Sequence, residues 1–257
     1  MSHAATDEPL IMNEGTSATE TDHATRSMKS AGGYSFLYAL AVAVVGAIVA
    51  FNVIRPITVL PRITPSPGYA FTNQHGQIST SEDQRGKLTL YSFTYADCAA
   101  NEPCPLAVDQ IGALRHQLGD IPSDIPLSFV TISLNPEIDT QTKLAEMNED
   151  YSGTDLASTI PWTFLSGDSQ RTRLVVGGGF QVFYSEPKSE AGGRVDFEPR
   201  YVLVDHLGII RAEYRTAEPD PELITRDIDL ILNEANNSDG IARLGYEAAH
   251  LFLCYPR

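Results

Sequence analysis

Between residues 34 and 54 the chain reads YSFLYALAVAVVGAIVAFNVI, 21 residues without a charge. At 1.5 Å per residue, a helix of this length spans about 30 Å, the thickness of a bilayer's hydrocarbon core. An all-round apolar helix of that length is rare inside a small soluble domain. A cleaved leader has a shorter apolar core and a shorter preceding segment. The run therefore predicts one uncleaved transmembrane helix, and it divides the chain. Residues 1–33 are polar, small and acidic, without aliphatic periodicity, as expected of a disordered arm. Residues 55–68, RPITVLPRITPSPG, hold four prolines and predict a stiff, extended spacer. Arg26 and Lys29 on one side balance Arg55 and Arg62 on the other, so charge alone does not orient the anchor.

The globular part is expected over residues 69–236. YAFTNQHGQIST (69–80) predicts a hairpin turning around Gln74–Gly76. KLTLYSFTY (87–95) and LSFVTISL (127–134) are short apolar runs, the pattern of buried strands. Between them, 106–120 places Leu106, Val108, Ile111, Leu114 and Leu118 at helical spacing. Residues 140–150 predict a helix with Asp139 as its cap. IPWTFLSG (160–167) predicts a strand, and SQRTRLVVGGGF a helix running into a glycine-rich end. Residues 195–215 predict two strands joined by a turn at His206–Gly208. Residues 221–235 predict a helix with Pro221 in its first turn. Strands alternating with helices, then a hairpin, define an α/β domain with a central mixed sheet flanked by helices. With a cysteine pair between the first core strand and its helix, the pattern is thioredoxin-like.

The net charge of −15 over 257 residues argues against a nucleic-acid partner, which needs clustered Lys and Arg. Three cysteines are too few for a disulfide scaffold. Two of them, Cys98 and Cys104, stand six positions apart in TYADCAANEPCP. Soft thiolates suit Cu(I). A thiol at a helix start is also acidified by the helix dipole and suited to disulfide exchange, an effect that Glu102 opposes here. A structural disulfide is a third reading, and a site that has lost its chemistry a fourth. Cys254 is left without an intrachain partner.

Four stretches, LYSFTYADC…CP, FVTISLNPEIDT, PWTFLSGD and RYVLVDHLGIIRAEYR, together resemble the Sco/SenC proteins, over about residues 69–235. That family comprises membrane-tethered, thioredoxin-like, copper-binding assembly factors for cytochrome c oxidase. The resemblance implies a domain on the extracytoplasmic face and a respiratory partner such as a terminal oxidase. It implies copper held by Cys98 and Cys104. This chain departs from the pattern in two places. The cysteines are spaced Cys-x5-Cys where the family has Cys-x3-Cys. The family's histidine, eight positions before Asp205, is Phe197 here. Pro199, six positions before Asp205, matches the proline that faces the cysteine pair in thioredoxin-like oxidoreductases, so Cys98, Cys104 and Pro199 form a candidate redox set. Substitute copper ligands would be His75, His116 or His206. His116 is too far along its helix, and His206 lies at a turn beyond the strand. A non-catalytic accessory subunit of a respiratory or photosynthetic membrane complex is the competing reading, and a thiol–disulfide oxidoreductase a third.

Past residue 236, a tail at 237–257 places Ile241, Leu244, Ala248, Leu251 and Phe252 on one helical face. That face covers the domain's own core, docks on a membrane protein partner or skims the bilayer. VVGGGF (175–180) lacks the Lys-Ser/Thr of a phosphate loop, and its glycines predict a helix end.

Overall fold

The computed structural model of the chain describes residues 31–54, 58–100, 103–119, 121, 123–152, 158–185 and 193–252. Residues 1–30 of the expected arm, Glu102 and Cys254 lie outside the described residues. The chain divides into two units, Met1–Ile54 and Arg55–Arg257. In the first, helix α1 runs over Ala31–Ile54, 24 residues. Its side chains are described over 34–50, where all are exposed and none is charged. Among the described residues no helix is long and apolar enough to cross a membrane.

The second unit is built on eight strands: β1 (Thr64–Pro65), β2 (Ala70–Asn73), β3 (Ile78–Thr80), β4 (Leu88–Thr94), β5 (Leu127–Ser133), β6 (Trp162–Ser166), β7 (Tyr201–Val204) and β8 (Ile209–Tyr214). They form one mixed sheet in the order β1-β8-β7-β4-β5-β6-β2-β3. Strands β4, β5 and β6 are parallel, and β7 joins β4 antiparallel. The crossovers carry α2 (Val108–Gln117) and α3 (Gln141–Ser152). The short α4 (Ser169–Thr172) runs into a π-helical turn at Arg173–Gly179. Helix α5 (Pro221–Asn236) follows the terminal hairpin, with the Asp220 side chain capping the Glu222 N–H.

Every residue of β4 is buried, which places this strand at the centre of the core. Its apolar side chains meet those of β5 and of the π-helical turn; Phe180 packs at 4.9 Å on Tyr91 and 5.2 Å on Phe93. Each such ring contributes about 1.5–3 kcal/mol of burial. Three side chains of the central strands are linked across the sheet by hydrogen bonds. Ser92 and Thr131 share a 2.8 Å hydrogen bond, and the Trp162 indole donates to Thr131. Where the β2–β3 hairpin leaves β6, the Gln74 side chain takes over as a strand residue would. It donates to the Trp162 carbonyl and accepts from the Phe164 N–H.

Four expectations change. The proline-rich segment is packed into the domain from Val59 onward. Val59 and Leu60 are fully buried, and Thr64–Pro65 pairs with β8. The apolar pair inside VLP outweighs the stiffness of the prolines. Asp139 is buried and lies one residue before the position that caps α3, where Thr140 Oγ1 accepts from the Lys143 N–H at 3.5 Å. Helix α2 starts at Val108, four residues beyond Cys104. Finally, the tail folds as α6 (Gly240–Phe252), but Leu244 is 71% exposed, while Ala249 is buried. What docks α6 is charge: His250 Nε2 lies 2.9 Å from Glu234 Oε1, and Glu247 pairs with Arg62. The side chains of Ile241, Leu251 and Phe252 lie outside the described residues.

Candidate functional site

The last residue of β4 ties the far end of the cysteine loop to the sheet and to the end of β5. The Thr94 carbonyl accepts from the Leu134 N–H, and Thr94 Oγ1 donates to the Leu106 carbonyl at 2.6 Å. The chain then turns at once, with the Cys98 N–H returning to the Tyr95 carbonyl at 3.1 Å. Between these ties Cys98 and Cys104 form a disulfide, with Cα atoms 5.2 Å apart. Cys98 is buried in the core; Cys104 is half-buried against it. The six-position separation thus closes a small ring at the C-terminal edge of the sheet's central strand. The dipole argument weakens here: the effect fades within the first helical turn, and Cys104 precedes that turn.

The segment before β7 flanks this loop. Phe197 is buried and meets Tyr95 edge to face, with ring centroids 6.2 Å apart. It forms an isolated antiparallel bridge with Tyr184, held by Ser185 N–H to Asp196 O and Glu198 N–H to Phe183 O. Arg200, buried to 3%, fixes the same segment by donating to the Gln181 carbonyl at 2.9 Å and to Glu198. Pro199 is half-buried between these two residues. The fold thus brings Phe197 to the turn that leads into Cys98.

On the other side, a residue assigned only a capping role reaches the loop. Asp139 Oδ2 accepts from the Ala96 N–H at 3.1 Å and from Ser133 Oγ at 2.6 Å. Its Oδ1 is buried without a hydrogen-bond partner. Burial pushes the Asp139 carboxyl up, against the pull of the Ser133 and Ala96 bonds. One turn along α3, Lys143 Nζ pairs with Asp97 at 2.6 Å. The sequence signal was available, since Asp139 lies in the stretch joining β5 to α3, but cap spacing explained it equally well.

No substitute histidine joins the pair. His75 and His116 are exposed on the hairpin and on α2. The His206 carbonyl accepts from the Gly86 N–H, before β4 begins, so His206 sits at the end of β4 opposite the cysteines. Among the described residues no group of three His, Cys, Asp or Glu side chains converges. Cu(I) in a trigonal site needs a third soft or imidazole donor beside two thiolates. A phenyl ring in that place and a bonded sulfur pair do not fit it.

A mixed sheet with β4 at its centre, flanking helices and a cysteine pair just past β4 define a thioredoxin-like domain. The SCO1/SenC family profile matches residues 62–233. The chain belongs to the SCO1/SenC family. Its fold is similar to a SCO1/SenC family lipoprotein from Bacillus anthracis (TM-score 0.55, 22% identity, covering 65% of this chain and 95% of that one). It is similar to BsSco, described as a member of the Sco family of cytochrome c oxidase assembly proteins with a disulfide switch (TM-score 0.55, 21% identity, 68% and 97%). It is also similar to yeast Sco1 with copper bound (TM-score 0.54, 17% identity, 71% and 98%). Comparison with curated proteins finds no match.

Proposed function

We propose that this chain is a membrane-tethered Sco/SenC protein serving assembly of a copper-containing terminal oxidase, in which Cys98 and Cys104 work as a dithiol–disulfide couple. The observation that carries this reading is the Cys98–Cys104 disulfide beside Phe197. Copper-bound and disulfide-switching neighbours of the same fold support both the oxidase context and the thiol chemistry. A bilayer anchor is supported by the 21-residue uncharged run at 34–54 of the sequence. The domain then works on the extracytoplasmic side, where disulfides persist.

The burial of Cys98 and the half-burial of Cys104 order the exchange. A partner protein's thiolate attacks Sγ of Cys104, the less buried cysteine, and the Cys98 sulfur leaves and takes up a proton. A second partner thiol then attacks the mixed disulfide and releases Cys104. Two electrons and two protons pass from the partner's dithiol to this chain, and the partner gains a disulfide. A chain that begins reduced runs the same steps in reverse.

A second reading is a non-catalytic accessory subunit of a respiratory or photosynthetic complex, favoured by the missing third donor. Titration of the full chain in detergent against glutathione redox buffers, followed by alkylation and mass measurement, separates the two. A pair that opens and closes within the glutathione range supports the couple. A pair that stays closed in strongly reducing buffer leaves only the accessory subunit. Stoichiometric Cu(I) uptake abolished by Cys98→Ser would instead restore a copper-carrying role.

A further inference from the structure

We infer that Asp139 is a positioning residue for the cysteine pair: its carboxylate clamps the turn entering Cys98 and biases the pair toward the disulfide. This rests on the redox reading above. The geometry is a two-point tether from the α3 side. Asp139 Oδ2 holds the Ala96 N–H, and Lys143, four residues later, holds the neighbouring Asp97. Both anchor points lie within two residues of Cys98. A charge-assisted bond from a buried carboxylate is roughly twice as strong as a neutral one. A turn fixed this way keeps the Cys98 backbone where the disulfide requires it. When the turn loosens, the dithiol gains more conformational freedom than the ring-closed disulfide, so the equilibrium moves toward the dithiol.

The polar surroundings give the clamp a second property. Asp139 is 1% exposed, its Oδ1 has no partner, and the acid form is favoured by that burial. The charged groups facing it are Asp97 and Lys143, which pair with each other, and the Tyr95 phenol stands beyond them. Exchange with glutathione is proton-balanced below the thiol pKa values, because two thiols and one disulfide stand on each side. Its equilibrium constant is then independent of pH unless another group titrates with the redox change. Asp139 is placed to be that group.

The test is the glutathione equilibrium of the full chain in detergent, from about pH 7 to about pH 4.5, for wild type, Asp139→Asn and Ser133→Ala. The expected result is a wild-type constant that drifts toward the dithiol as pH falls. Asp139→Asn should lie about fivefold toward the dithiol at neutral pH and show no drift. Ser133→Ala keeps the charge and the Ala96 bond but removes one stabilising donor, so its drift should begin at higher pH. A role confined to folding stability would not move that profile. If Asp139→Asn does not fold, Ser133→Ala carries the test alone. Profiles that coincide with a titrating wild type overturn the clamp. A wild-type constant that does not change with pH also overturns the clamp, whereas a pair that never opens in reducing glutathione overturns the redox reading on which it rests.

Discussion

The Phe197 ring stands edge-on to Tyr95 at 6.2 Å, three residues before Cys98. By the sequence resemblance it stands at the position expected of a metal-binding imidazole, and its ring contact joins the cysteine loop to the 184–197 bridge. The structure itself sets two bonded sulfurs beside a pair of aromatic rings there.

Phe197→His should restore a third donor. The expected outcome is Cu(I) binding to the reduced protein at least about tenfold tighter than wild type, measured by competition with a chromogenic chelator. An unchanged affinity would show that the Cys-x5-Cys spacing, and not the missing imidazole, limits the site.

Opening the ring has a cost in stability. Cys104→Ser should destabilise the domain by roughly 2–3 kcal/mol, the chain-entropy value for so short a loop. Urea unfolding with and without reductant checks it. Wild type in reductant should match the variant, and the variant should be indifferent to reductant.

Glu234 gathers two guanidinium groups and an imidazole: Arg211 Nη2 at 2.6 Å, Arg62 Nη2 at 2.7 Å and His250 Nε2 at 2.9 Å. Burial pushes its carboxyl up, but hydrogen bonds from His250 and Arg211, the Arg211 charge and the Arg62 bond outweigh this and hold it at about 2. A depressed carboxyl contributes stability above its unfolded pKa of 4.5 and loses it as pH falls through the folded value. Stability should therefore decline between about pH 5 and about pH 2, by about 2–3 kcal/mol from this residue. Glu234→Ala should cost about 3 kcal/mol at neutral pH by removing one of the two carboxylates that pair with the buried Arg211, Asp205 being the other, and should flatten that decline.

The three consecutive glycines of the π-helical turn are not equivalent. A Cβ on Gly179 would stand 2.4 Å from Pro67 Cβ, whereas nothing lies within 4 Å of one on Gly177 or Gly178. Gly179→Ala should destabilise by about 1–3 kcal/mol. Gly177→Ala and Gly178→Ala should be neutral or stabilising by up to about 1 kcal/mol, since the backbone is helical there. Thermal melts of the three variants test the difference.

The sheet was legible because its signals are local. Each core strand is a short apolar run, each crossover helix repeats on a helical period, and the His206–Gly208 turn follows from Asp205, which accepts from the Leu207 and Ile209 N–H groups. The family resemblance also held over the matched residues. What the sequence concealed depends on partners far along the chain. Arg62, Glu234 and His250 look like ordinary surface charges until folding sets them together. Leu244 satisfies the helical stripe of the tail yet faces outward, because Ala249 and the ion pairs fix the rotation of α6. Asp139 has the spacing of a cap, and only the position of Ala96 shows that its carboxylate serves the cysteine loop.

The family match ends at residue 233, one position short of the carboxylate on which Arg62, Arg211 and His250 converge. A fragment trimmed to those borders would leave the buried Arg211 without Glu234 and the Leu60 and Pro61 carbonyls, and would discard the Val59–Leu60 plug and the C-terminal helix together. The smallest piece of this protein worth excising therefore begins ahead of Val59 and extends past His250, and its borders are drawn by electrostatics and not by ancestry.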